Sequence, residues 1–121
     1  MSKSILVVED QEDNRRILRD LLSSKGYQIF EVTDGLAGVE AAKKEKPDLI
    51  LMDIQLPGID GYEATRRIKA DPDLAGITII AVTSYALSGD EQKALEAGCD
   101  GYVAKPYSPR KLLAEIEQYL A

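Results

Sequence analysis

Five short runs of aliphatic and β-branched residues, SILVVE, YQIFEV, DLILMD, ITIIAVT and GYVAK, recur along the 121-residue chain, and each is followed by a segment of helical periodicity. Helices are expected from about Glu12 to Lys25, Gly35 to Lys46, Gly61 to Ala70, Gly89 to Ala97 and Pro109 to Leu120. Strict alternation of this kind leaves the strands one economical arrangement: side by side and parallel, with the helices between them packed on both faces. Leu49, Ile50, Leu51 and Met52 are apolar at every position rather than at every second one, as strands buried on both sides require. Five βα units use up the chain, so a single α/β domain over residues 1–121 is expected, without linker or repeat.

Helix boundaries carry their own signals. Ser88 with Glu91 and Asp60 with Glu63 have the spacing of a capping box, Ser108-Pro109 reads as a cap followed by proline in the first turn, and Gly26 and Gly98 read as left-handed stops. Ile17, Leu18, Leu21 and Leu22 form an apolar stripe on the first helix, and Leu112, Leu113, Ile116 and Leu120 form one on the last. Both stripes are expected to pack in the core. The fourth helix offers only Ala94, Leu95 and Ala97, so it should be weakly anchored and able to move.

The composition closes several routes to function. There is no histidine and a single cysteine, Cys99, so disulfide frameworks, Cys/His zinc sites and imidazole-activated nucleophiles are excluded. The net charge of −6 argues against direct nucleic-acid binding and suits divalent cations or basic protein partners. No apolar run approaches the roughly 20 residues of a membrane-spanning helix, and MSKSILVVED lacks a signal peptide's cleavage region, so a cytoplasmic location is expected.

The chemistry should lie where the strands end, because ligands of open parallel sheets sit beyond the carboxyl ends of the strands. Those ends carry Glu9 and Asp10, Asp53, Thr83 and Ser84, then Lys105. Carboxylates gathered at one point repel one another, and an all-oxygen cluster calls for a hard cation, Mg²⁺ above all. Beside such a cation a carboxylate is also a nucleophile, since aspartyl phosphates are established covalent intermediates. Thr83 would supply a hydroxyl and Lys105 an ammonium for the phosphoryl oxygens. Asp53 is therefore expected to end a buried strand so that rigid backbone presents a charged nucleophile at the surface. Pro106 follows Lys105 directly; a cis bond there would turn the lysine inward, whereas a trans bond would be a plain turn, and the sequence is compatible with both.

Together Glu9-Asp10, Asp53, Thr83 and Lys105-Pro106, set in LVVED, DLILMDIQLPGIDG, IIAVTSYA and GCDGYVAKP, resemble the receiver domain of two-component response regulators over the whole chain. The resemblance implies a flavodoxin-like (βα)5 fold with sheet order 2-1-3-4-5. It implies that Asp53 accepts a phosphoryl group from a histidine kinase or a histidine phosphotransfer protein. Asp10 and Asp53 would bind Mg²⁺ directly, Glu9 through water and Gln55 through its main-chain carbonyl. Thr83 would move inward to the phosphoryl group, Lys105 would pair with it, and Tyr102 would change rotamer with Thr83. Ser84 would either reach the phosphoryl group or face solvent, and Gln11, Gln55 and Tyr85 would tune the attack of water.

The output would be the binding of a downstream protein at the face formed by the fourth helix, fifth strand and fifth helix, where Tyr85, Tyr102 and Tyr107 fall. The chain would be a monomer or weak dimer, either a stand-alone receiver or one cut from a hybrid kinase. A Mg²⁺-dependent phosphohydrolase is disfavoured because Gln55 stands where such enzymes commonly place an acid/base carboxylate. A flavin-binding domain is disfavoured because the loop EDQEDN would repel a phosphate. A receiver that works without phosphorylation is disfavoured because every motif position is filled.

Overall fold

The structure, a computed structural model, describes residues 3–83, 90–105 and 107–120. Ser84, Tyr85, Ser88, Gly89 and Pro106, to which the sequence attached expectations, lie outside the described residues. The strands are β1 (Ser4–Val8), β2 (Gln28–Val32), β3 (Leu49–Asp53), β4 (Thr78–Thr83) and β5 (Gly101–Ala104). They alternate with α1 (Glu12–Ser23), α2 (Gly35–Glu45), α3 (Gly61–Ala70), α4 (Asp90–Ala97) and α5 (Pro109–Leu120). The sheet order is β2-β1-β3-β4-β5 and all four pairings are parallel. This is the parallel sheet expected from the strand and helix runs, in the flavodoxin-like order that the family resemblance implies.

The central strand β3 is buried along its entire length, and the period-2 alternation of its side chains divides the core in two. Leu6, Val8, Ile50, Met52, Ile79 and Ala81 pack with Val39 of α2, Ile68 of α3 and Ala94 of α4 on one face. Ile5, Val7, Leu49, Leu51, Ile80 and Val82 pack with Leu18 and Leu22 of α1 and Leu112 and Ile116 of α5 on the other. One expectation for α1 needs correction: Ile17 is 56% exposed. At 100° per residue it lies at the margin of the stripe whose centre is held by Leu18 and Leu22, and the helix turns that margin to solvent. In α4, Ala94 and Ala97 are buried while Leu95 is 52% exposed, so its anchoring is as thin as the sequence implies.

Among the described residues, three helix starts are capped by side chains. Asp34 Oδ1 accepts from Ala37 N at 2.7 Å, Asp60 Oδ1 from Glu63 N at 2.9 Å and Ser108 Oγ from Lys111 N at 3.1 Å. Glu63 completes no capping box; its carboxylate pairs instead with Arg66 and Arg67. The start of α3 is tied to the end of β3, for Gly61 N donates to Ile54 O at 3.0 Å. The approach is so close that a Cβ on Gly61 would lie 2.8 Å from Ile54 Cα and collide with the Asp53 carbonyl. Glycine is required there by space, and it fixes the backbone on which Asp53 stands. Among the described residues no helix is long and apolar enough to cross a membrane.

Candidate functional site

The carboxyl ends of β1, β3 and β4 and the residue after β5 bring Glu9, Asp10, Asp53, Thr83 and Lys105 to one rim of the sheet. Register does this without help from the loops: Val8 pairs with Met52, Asp53 with Val82 and Thr83 with Ala104. Main-chain bonds extend the pairing past the strands, from Glu9 N to Val32 O at 3.1 Å, Ile54 N to Val82 O at 3.0 Å and Lys105 N to Thr83 O at 2.6 Å.

One oxygen from each of Glu9, Asp10 and Asp53 lies within 4.8 Å of the others. The expected location of Asp53 at the surface is overturned: Asp53 is 4% exposed, Glu9 2% and Thr83 0%. The burial of β3 continues past its end, with Ile54 itself buried. Lys105 Nζ stands 2.7 Å from Glu9 Oε1 and 3.5 Å from Asp53 Oδ2. Glu9 Oε2 accepts from Gln11 N at 3.0 Å, and Asp53 Oδ1 accepts from Gln55 N at 3.1 Å. Arg15 Nη1 donates to the Glu9 carbonyl at 2.9 Å, holding the turn that carries the two acids.

The electrostatics are unequal between the two buried acids. Burial, reinforced by the hydrogen bond and the charge of Glu9, pushes Asp53 up to about 7, against the opposing effects of Lys105 and the Gln55 N–H. Burial acts on Glu9 in the same direction. Its bonds to Lys105, Asp53 and the Gln11 N–H outweigh that effect and hold Glu9 below the ordinary carboxylate range. Lys105 thus pairs with both buried acids, sits closer to Glu9, and leaves Asp53 short of compensation. A donor set of carboxylate oxygens with excess negative charge fits a hard divalent cation.

Thr83 is reached by a residue whose side chain had no assigned partner in the sequence reading: Gln55 Nε2 donates to Thr83 Oγ1 at 3.0 Å. Tyr102 pairs in register with Ala81, so it shares the α4 side of the sheet with Thr83 and is half-buried against that part of the core. Tyr107 had been grouped with the output face. The structure packs it against the α1 and α5 side of the core, where burial and the charges of Glu9 and Asp53 push its phenol up to about 12. Its place two residues after Lys105 was the available signal. Nothing in the sequence marked Arg15.

The sequence pattern of the response regulator receiver domain matches residues 5–117. The chain belongs to the response regulator receiver family. It is 42% identical over 120 residues to the polar-differentiation response regulators DivK of Brucella anthropi and Brucella ovis, an overlap covering 99% of this chain and 98% of each relative. A receiver domain of a Pseudomonas aeruginosa sensor histidine kinase, whose structure has a magnesium ion coordinated in the active site cleft, is similar at a TM-score of 0.92. It is 38% identical, with 99% of this chain and 98% of that one covered. A CheY-like receiver domain protein from Methanospirillum hungatei superposes at a TM-score of 0.90, with 32% identity and 99% and 94% coverage. The domain is accordingly a phosphoacceptor module of two-component signalling rather than a conventional enzyme, and interaction with histidine kinases and downstream proteins goes with that role.

Proposed function

We propose that Asp53 is the phosphoacceptor and that its phosphorylation changes the surface formed by α4, β5 and α5. The observation that carries the assignment is the condition of Asp53: a buried carboxylate at the end of a rigid central strand, under-compensated, with an ammonium 3.5 Å away. In the transfer, the P–N bond of a phosphohistidine breaks as a bond forms between phosphorus and a carboxylate oxygen of Asp53. Only the ionised carboxylate can attack, and no general base is then required. Lys105 leaves its bond to Glu9 to pair with a phosphoryl oxygen, and the Gln55 N–H steadies Asp53 Oδ1. Asp10 and Asp53, with the Gln55 carbonyl and with Glu9 acting through water, would hold Mg²⁺. When bound, that ion neutralises the carboxylates and the phosphoryl oxygens. Both Glu9 oxygens already have partners, consistent with an indirect part for Glu9.

Thr83 takes a phosphoryl oxygen and Tyr102 follows on the same side of the sheet. The phosphoryl group adds about two negative charges and strong acceptors. Differential stabilisation of a few kcal/mol is enough to convert a mostly inactive population into a mostly active one. Thin anchoring makes α4 the element that yields. Next to it, Tyr102, Val103, Lys111, Ala114, Glu115 and Gln118 line a hollow of about 330 Å³ between β5 and α5, where a downstream protein can seat a side chain.

Mixing the protein with acetyl phosphate, with and without Mg²⁺, and mapping the adduct by mass spectrometry tests the assignment. Mg²⁺-dependent labelling at Asp53, absent from Asp53→Asn, is expected. Labelling of that variant at another residue overturns it.

A further inference from the structure

Gln55 touches both ends of the switch. Its main-chain N–H donates to Asp53 Oδ1 at 3.1 Å, and its side-chain Nε2 donates to Thr83 Oγ1 at 3.0 Å. The main chain here is held on both sides, since Ile54 N is bonded to Val82 O at 3.0 Å and Leu56 N to Ile54 O at 3.1 Å. The amide can therefore follow Thr83 only by changing its own rotamer. Gln55 is an exposed residue, yet it spends the freedom of a long side chain on a hydroxyl that is 0% exposed. A hydroxyl oxygen can accept this bond and still offer its own proton elsewhere, so the amide fixes the oxygen's position and leaves the proton to be redirected.

We propose that the Gln55 side chain is a positioning residue that latches Thr83 in its unphosphorylated arrangement. The inference rests on the phosphoacceptor reading of Asp53 given above. Bond-making with a phosphoryl oxygen draws Thr83 Oγ1 towards Asp53 and away from the amide. The Gln55 to Thr83 bond thus belongs to the inactive state, and its loss is part of what phosphorylation must overcome. A hydrogen bond of this kind biases a two-state equilibrium by about two- to tenfold. Gln55 would then set the threshold of the switch without touching the phosphoryl group.

The test is a double-mutant cycle of Gln55→Met, which keeps the length and removes the donor, with Thr83→Val, which keeps the shape and removes the hydroxyl. Rates of phosphorylation by acetyl phosphate in excess Mg²⁺ are read by intact-protein mass, with circular dichroism to establish that each variant is folded. Gln55→Met is expected to be phosphorylated about two- to tenfold faster than the parent. The same substitution in the Thr83→Val background is expected to change the rate by less than about twofold. In the unphosphorylated protein, Gln55→Met should also move the Thr83 amide resonance towards its phosphorylated position, which lost packing alone would not do. A slower or unchanged rate, or an equal effect in both backgrounds, overturns the latch. Failure of the parent protein to label is a different result: it removes the phosphoacceptor reading and this inference with it.

Discussion

Replacing Asp53 by Asn should make the metal-free fold more stable. The parent keeps a carboxylate that is 4% exposed and pushed up to about 7, so at pH 8 it holds a buried negative charge short of compensation. For an isolated carboxyl, a rise from the ordinary range to about 7 corresponds to roughly 4 kcal/mol. The acids are not isolated, and the opposite displacement of Glu9 recovers part of that, so about 2 kcal/mol is the expected net effect. Asn keeps the shape, its Oδ1 can accept the Gln55 N–H, and its amide can donate to Glu9, where two anions had faced each other. Lys105 and Glu9 then form a balanced pair.

The sign follows from proton counting. Between about pH 4 and 7 the folded parent binds its Asp53 proton while the unfolded chain has released it. Stability contributed by that group is therefore highest in acid and is lost as pH rises through 7. Asn has no such dependence. Thermal unfolding of both proteins in chelator should show Asp53→Asn higher by roughly 5–10 °C at pH 8, with the gap narrowing steadily towards pH 5. Glu9 contributes the reverse slope, and because its lowered value owes part to the bond with Asp53, that slope changes with the substitution and is already included in the reduced net effect. An equal or lower midpoint for the variant at pH 8, or a gap that does not change with pH, would refute the electrostatic account of the site.

Two further outcomes follow from the same geometry. Mg²⁺ affinity measured by calorimetry should fall as pH drops below about 7, because a proton on Asp53 must leave before the ion can bind; a flat profile between pH 6 and 8 would count against Asp53 as a ligand. Gly61→Ala should destabilise the fold by about 2 kcal/mol or more, read from urea unfolding, since the new methyl meets the backbone of Asp53 and Ile54 rather than a side chain that can move. A neutral result there would mean that the end of β3 is not held by α3.

The architecture was legible because its cause is local and repeated. Unbroken apolar runs such as Leu49 to Met52 admit only strands covered on both faces, and the helices between them are long enough to do the covering. The gathering of Glu9, Asp10, Asp53 and Lys105 followed from that same register. Depth was not legible. The end of β3 could be read from the sequence, but the burial of Asp53 and the packing of Tyr107 against the α1 and α5 side of the core depend on chain segments that meet only in the fold. Ile17 shows the limit of periodicity, which locates a stripe and not its margin. The Gln55 bond to Thr83 shows another: a long polar side chain reaches any of several partners, and its rotamer decides which.

Burial of Asp53 turns what the sequence suggested was a displayed nucleophile into a stored imbalance. Water would have compensated an exposed carboxylate, and neither a cation nor a phosphoryl group could then change the fold's energy by much. Buried as it is, the same charge is felt strongly, since the desolvated site screens it poorly. Lys105 cannot serve Glu9 and Asp53 equally, and its distances of 2.7 and 3.5 Å record which acid it favours. A cation at Asp53 meets the charge that Lys105 leaves uncompensated, whereas an event that gives Lys105 a stronger anionic partner there must take the ammonium from Glu9. A site balanced in this way responds to a single covalent change because its unmodified state is already strained by its own charges, and the strain disappears if Asp53 is made neutral.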